Sequence, residues 1–502
     1  MSNITAMKSI SMRIRIFLPA ILLITLNSLQ AQDYRAINGT SYAGSLGTAN
    51  NPASIVHVPF AWDITPMALQ FKQTTNSLII DSLSFLPPWK NARVRSTNGT
   101  FKRFVMANQD LRLLNVRIRL NSNSAIAFGI SGRSYLSAKT SSINGQDTVG
   151  PLREFMGINL NNIPVSAEER SHEWAEVFGT YARTIVMYNN AVLNAGITVK
   201  LNYGIAGAYM TASDFDEVAG TVNNKPGYYL SNGNLKYGYS SNIDVLDTST
   251  TSQNVLKEFF RKTYSPIGIS LGAEYIIPEA EEDDNGYGYN LKIGVSLLDL
   301  GNNKFQYSDY SRSAVLNKNN ISDSLIETSL DNTNSPAAFA DTLQSLAGST
   351  TTLSGSFKIL QPTRLVINVD KHISKNFFIN ADLTMPLTMF WGKKKVFARD
   401  MNLFSLTPRL ETKEFGIYLP ASLNTQMHFW IGAAIKAGPL LLGVHNLANI
   451  LSKNKMQDGG AYLAFTFRFK KKNDNDSDTD NIGKQNVSGK QLRQLSCPTR
   501  IQ

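Results

Sequence analysis

The chain is poor in the residues that most enzymes and soluble cores rely on. One cysteine, Cys497, occurs in 502 residues; this excludes an internal disulfide framework, a cysteine-based zinc site and a paired redox motif. Five histidines (His57, His172, His372, His428 and His445) are scattered without HExxH spacing. Charged residues make up 17% of the chain, below the ~25% of an ordinary soluble domain. After residue 31 no apolar run approaches the ~18 residues of a membrane-spanning helix, and mean hydropathy is −0.16. Neither GxGxxG nor GxxxxGK occurs, so nucleotide binding has no motif to rest on. A multidomain soluble enzyme and a helical membrane protein are both disfavoured.

The N-terminus reads as an address. Lys8, Arg13 and Arg15 precede the mostly apolar run 16–26, and a short polar stretch ends at Ala31. Positive region, apolar region and small residue at the cut are the order of a Sec-type signal peptide. The reading is therefore a signal over 1–31 and a mature chain from Gln32. Export removes nucleic acid from the partners, and the +11 net charge is spread along the chain rather than gathered in a patch.

What recurs afterwards is alternation. Leu193, Ala195, Ile197, Val199, Leu201, Tyr203 and Ile205 alternate with Asn194, Thr198, Lys200 and Asn202. Leu114, Val116, Ile118 and Leu120 alternate with Asn115, Arg117 and Arg119, and Tyr287, Tyr289, Leu291, Ile293, Val295 and Leu297 with Asn290, Lys292 and Ser296. Period two means strands. Several runs exceed the ~5–6 residues of a soluble strand and fit transmembrane strands of about 9–11 tilted residues. The strands read as 62–72, 110–120, 124–136, 174–188, 191–211, 265–277, 287–298, 358–371, 377–387, 402–410, 413–420, 426–437, 439–447 and 459–469. Short connections alternate with long ones (73–109, 137–173, 212–264, 299–357, 388–401, and shorter members at 421–425 and 448–458). Gly227–Tyr239 and Lys304–Tyr307 read as strand pieces within loops. The fold class is all-β: a transmembrane antiparallel barrel of about fourteen strands over 62–469, with a plug over 32–61 and a disordered tail over 470–502. The implied location is the outer membrane of a Gram-negative cell, in contact with its lipid.

Arg117, Arg119, Lys200, Glu274, Lys292, Asp370 and Asp382 fall on the polar parity of their strands. On the lipid face an Arg or Lys at the midplane costs about 2–4 kcal/mol, so this parity is assigned to the lumen. Ion pairs and water packing the lumen would account for them; so would a polar lining for a solute path. The closing strand sets Leu463, Phe465, Phe467 and Phe469 against Tyr462, Thr466 and Arg468. It resembles the C-terminal signal of outer-membrane barrels, which implies that the barrel-assembly machinery reads Phe465, Phe467 and Phe469. Here the chain continues beyond Phe469 through Lys470, Lys471 and Lys472.

Before the first strand, Tyr42-Ala43-Gly44-Ser45-Leu46-Gly47-Thr48-Ala49-Asn50 leads into Asn51-Pro52-Ala53. This opening resembles the N-terminal hatch of FadL-type long-chain fatty-acid transporters. It is similar also to PorV-type barrels of the type 9 secretion system. The late segments 404–420 and 431–447, especially Leu410 to Pro420, look like those of an uncharacterised outer-membrane barrel family of the Bacteroidota. The resemblance implies a fourteen-stranded barrel plugged near Asn51, Pro52 and Ala53.

Catalytic matches fail on context. Gly268-Ile269-Ser270-Leu271-Gly272 fits GxSxG but lies inside an alternating strand, not at a strand-to-helix elbow. Asp474, Asp476, Asp478 and Asp480 open like a calcium loop, but Thr479 and Gln485 replace its glycine and glutamate. The acidic run Glu279–Asp284 reads as a solvated turn. No enzyme activity, cofactor or metal is expected. Two functions remain: a channel for hydrophobic or amphiphilic small molecules, or a non-transporting barrel that binds a secreted or envelope protein. The inside–outside assignment is testable: a cysteine at Lys200 should resist reagents supplied from the lipid phase, and labelling only from that phase would reverse it.

Overall fold

The structure, a computed structural model, describes residues 34–469 apart from 82–92, 148–149, 189–190, 223, 248–257, 260–262, 265, 280–287, 319–320, 332, 392–394 and 449–456. The signal over 1–31, the acidic turn beyond Glu279, and the tail with its spaced aspartates and Cys497 lie outside the described residues. Fourteen antiparallel strands close into one barrel. They are β1 (Trp62–Thr75), β2 (Gly99–Asn121), β3 (Ser124–Gly145), β4 (Val165–Tyr188), β5 (Ala191–Val222), β6 (Ile267–Pro278) and β7 (Tyr289–Leu300). The second half comprises β8 (Arg364–Ser374), β9 (Phe377–Pro386), β10 (Leu403–Glu411), β11 (Phe415–Tyr418 with Ala421–Asn424), β12 (Phe429–Ile431 with Ala433–Ala437), β13 (Leu440–Val444) and β14 (Ala461–Phe469). The ring closes where β1 pairs with β14, Trp62 opposite Phe469 and Gln70 opposite Tyr462. At that seam the Trp62 and Phe469 rings stack with centroids 3.8 Å apart.

The wall is inside out relative to a soluble protein. On β5, Ile197, Val199 and Leu201 are 40%, 45% and 43% exposed, while Thr198, Lys200 and Asn202 are buried. The same inversion holds on β6 and β10, so the solvent that suits the outer face is lipid. A closed ring also leaves no unpaired strand edge in that solvent.

The alternation slips where β1 and β2 adjoin. Thr65 and Pro66 together oppose Thr466, and Leu114 and Asn115 together oppose Gly129. Pro66 has no N–H to give the ladder, and Leu114 takes φ 51°, so bulges on β1 and β2 lie side by side. Pro66 and Met67, like Leu113 and Leu114, both face outward. Below the slip β2 points Asn115 and Arg117 inward; above it the inward set is Asp110 and Arg112.

Several boundaries differ from the sequence reading. β2 to β5 run well into the supposed loops, reaching 23, 22, 24 and 32 residues. Lys225–Tyr239 pairs with the upper part of β5. Residues 421–424 are strand, paired with β10 and β12, not a loop. The expected strand 358–371 is two elements: Gln361-Pro362-Thr363 interrupts it, and only Arg364 onward belongs to the wall.

The interrupted half folds into the barrel. Asn302–Gln306, Ser356–Leu360 and Val396–Phe397 form a three-stranded inner sheet at the end with the long connections. Phe305, Phe357 and Ile359 pack against Tyr209 of β5, and Ala398 packs beneath Tyr135 and Trp174. Gly204 permits this: a Cβ there would stand 2.6 Å from the Phe305 ring. Gly204→Val should therefore weaken the inner sheet by about 1–3 kcal/mol, the usual range for overpacking. Limited proteolysis should cut the 299–363 connection sooner, while the barrel keeps its resistance to unfolding in detergent.

Candidate functional site: the plugged lumen

Residues 34–61 lie within the barrel as three short 3-10 turns, Arg35–Ile37, Gly44–Ala49 and Pro52–Ile55. Small residues let the chain turn tightly in this space. Asn51 starts the third turn: its Oδ1 accepts the Ala53 N–H at 2.9 Å, and Pro52 fills the first position, where no N–H is needed. The Asn51 Nδ2 donates to the Ala273 carbonyl of β6 at 2.9 Å. Opposite the motif the wall is bare, because Gly196 of β5 and Gly272 of β6 face each other across the ladder. A Cβ on Gly196 would come within 2.6 Å of the Pro52 carbonyl carbon. Asn51, Pro52 and Ala53 thus sit on a glycine floor.

Two charged groups hold the segment near the short turns. Arg117 meets Asp63 at 2.5 Å with both side chains fully buried, and it donates to the carbonyls of Phe60 at 2.6 Å and Ile55 at 3.3 Å. Arg119 donates to the Val58 carbonyl. On the other side Arg409 grips Asp370 through two nitrogens, at 2.5 and 3.0 Å, and Glu411 at 3.0 Å. Lys436 reaches Glu411 at 3.0 Å. The segment joins this group directly: Thr40 donates to Glu411 at 2.6 Å, Asn38 to Asp382 at 2.5 Å, and Arg35 to Ser405 at 2.9 Å. Lys292 donates to Ser41 at 2.9 Å. Burial, with Lys292 and Arg119 nearby, pushes the His57 imidazole down to about 3, so this histidine of the plug is neutral at any physiological pH.

A third group lies nearer the long connections. Asp299 receives Arg133 at 2.8 and 2.9 Å and Lys200 at 2.7 Å, and Lys200 also reaches Glu176 at 3.1 Å. Asp400 receives Asn108 at 2.9 Å and Lys72 at 3.4 Å. Charges of both signs interleave in these groups, so each charge named here has an opposite one close by.

The seven candidate lumen residues all lie on the inner side, in different groups. Arg117 and Arg119 hold the segment, Lys200 belongs to the Asp299 group, and Lys292, Asp370 and Asp382 belong to the Arg409 side. Glu274 is buried near the plug. Sequence parity passed over Asp63, Arg133, Glu176, Asp299, Arg364, Asp400, Arg409 and Glu411. Those on strands follow the same inward rule, which would have found them; Asp299 and Asp400 stand at strand ends where the rule stops. One assignment was reversed. Tyr289, placed with the outward set, is buried and donates to Asp370 at 2.9 Å, because a bulge at Asn290 shifts the register of β7 on β6.

Voids of about 20 and 10 Å³ lie beside the segment and in the Asp299 group. A larger cavity of about 190 Å³ opens at the mouth. Ser270 of the GxSxG match is buried in β6, accepting the Asp299 N–H at 3.0 Å, a structural bond. Among the described residues no cluster of three or more His, Cys, Asp or Glu side chains is arranged to hold a metal.

No curated protein matches the sequence. Among solved structures, a FadL homologue of Pseudomonas aeruginosa is 10% identical, with 88% of this chain and all (100%) of that one covered and a TM-score of 0.38. The Ralstonia pickettii toluene transporter TbuX is 12% identical, covers 87% of this chain and 97% of its own, and has a TM-score of 0.40. The Pseudomonas putida toluene transporter TodX is 8% identical, with 86% and 95% covered and a TM-score of 0.35. A family model described as a family of unknown function matches residues 66–445, across most of the barrel. The chain belongs to that family of unknown function, DUF5723.

Proposed function

We propose that the protein is an outer-membrane barrel, with its short turns in the periplasm and its long connections outside, that admits small uncharged amphiphiles when its plugs move. The observation that carries this reading is the cavity at the mouth. It is lined by Phe104, Met106, Phe397 and Met401, with Thr388 and Asn424 among its uncharged polar groups and with Arg399 and Asp400 as charged ones. At about 190 Å³ it exceeds the ~150 Å³ cavity known to take up benzene. Walls that mix apolar, hydroxyl, amide and charged groups suit a one-ring molecule with a polar group. Below the cavity, the N-terminal segment acts as a hatch around Asn51, Pro52 and Ala53. Arg117, Arg119, Lys200, Glu274, Lys292, Asp370 and Asp382 become the path lining when it is displaced. The Sec-type signal delivers the chain, and Phe465, Phe467 and Phe469 on β14 serve as the assembly signal.

A second reading has its own support. β2 to β5 reach 23, 22, 24 and 32 residues, far beyond the about 9–11 needed to cross a bilayer. With Lys225–Tyr239 and the helices Leu152–Asn159, Asp323–Asp331 and Pro336–Leu346 they build a platform outside the membrane. Such a platform suits a non-transporting barrel that holds a secreted or envelope protein.

One paired experiment separates the readings. The full protein in liposomes should take up small neutral amphiphiles such as phenol and cresol faster than empty liposomes, and a pull-down from the native envelope should yield no stoichiometric partner. A stoichiometric partner without flux replaces the channel by the scaffold.

A further inference from the structure

The three strands of the inner sheet share one root. Asp299 stands just before Asn302–Gln306, Arg364 just after Ser356–Leu360, and Asp400 just after Val396–Phe397. These three side chains meet: Arg364 Nη1 lies 3.7 Å from Asp299 and 3.9 Å from Asp400. The other guanidinium nitrogen, Nη2, donates to the Ala49 carbonyl at 3.3 Å, at the end of the hatch turn Gly44–Ala49. One planar cation thus touches both anions that root the inner sheet and the backbone of the hatch. We infer that Arg364 interlocks the hatch with the inner sheet, so that the periplasmic and extracellular plugs of this barrel are released together rather than one at a time.

The geometry gives the reason. Arg133 of β3 and Lys200 of β5 hold Asp299 to the wall, and Lys72 of β1 and Asn108 of β2 hold Asp400. Both anions therefore keep wall partners if the inner sheet shifts, and the Arg364 side chain, 3% exposed, reaches the hatch backbone at Ala49 and the two anions at the base of the inner sheet. Moving the hatch takes an acceptor from a buried guanidinium, which stays charged at all accessible pH. That loss is smallest if the anions on its other nitrogen rearrange in the same step. Lysine, a point charge without the fork, could not face both directions. This inference rests on residues 34–61 being a displaceable hatch, but not on which solute passes, or whether any does.

Coupling is reciprocal, so loosening the hatch must expose the inner sheet. Ala398, 2% exposed under Tyr135 and Trp174, can report it. The full chain carrying A398C and C497S would be labelled from outside with a membrane-impermeant maleimide. N51A removes the bond from the hatch to Ala273, and should speed labelling of A398C about fivefold or more, within the usual span of coupled sites. R364Q should speed it by itself, and N51A should add nothing in the R364Q background, since the connection is already cut. Equal multiplication by N51A with and without Arg364 overturns the interlock. If R364Q does not assemble, N51A decides by itself: unchanged labelling of A398C in a folded barrel overturns the inference. Coupled labelling in a protein that gives no liposome flux keeps the interlock and discards the channel.

Discussion

A strand that crosses lipid must pair every backbone group and turn its apolar side chains outward, and the rest of this structure follows from that. With fourteen strands, the apolar parity is used up on the lipid face, and the inner face is left with Arg, Lys, Asp, Glu and Asn. Those groups cannot be left alone where water is scarce. Many of them are paired with opposite charges from neighbouring strands and with the backbone of the chain's own N-terminal segment, whose carbonyls at Ile55, Val58 and Phe60 take the arginines of β2. The plug is held largely by polar bonds, supplemented by contacts such as Ile55 and Val56 on Ala125, Ala127 and Ala182.

Most of the barrel was legible because the lipid constraint writes itself into every second residue. All fourteen strands were found. What escaped the sequence reading are the places where period two stops. The β1–β2 bulges at Pro66 and Leu114 each put two successive residues on the outer face, and the β7 bulge at Asn290 reverses the assignment of Tyr289. The inner sheet escaped for another reason: Ser356–Leu360 alternates as well as a wall strand does, and only Gln361-Pro362-Thr363 marks its departure. A pattern of apolar and polar residues cannot distinguish a strand that faces lipid from one that packs on Tyr209 and Phe305. The glycine floor under Asn51 and Pro52 was likewise hidden, since Gly196 and Gly272 are 76 residues apart in sequence and meet only by register.

The interleaved charges also bear on how such a plug could move. A buried ion pair adds little net stability over an apolar contact of the same size, yet removing one partner is costly. A lumen built from such pairs is closed firmly in one arrangement, while any rearrangement that keeps each charge partnered is cheap by comparison. Asp299, with Arg133, Lys200 and Arg364 around it, has more than one cation in reach, so exchange among them leaves no charge bare. Apolar contacts between plug and wall use alanine at Ala68, Ala434 and Ala464 beside the larger Tyr418, Leu441 and Tyr462, and the alanines expose less area when parted than leucine or phenylalanine would. The same arithmetic explains why the interlock falls on an arginine: a side chain facing two movable bodies must stay charged and keep a partner while either moves, and a five-donor guanidinium among several acceptors meets both conditions.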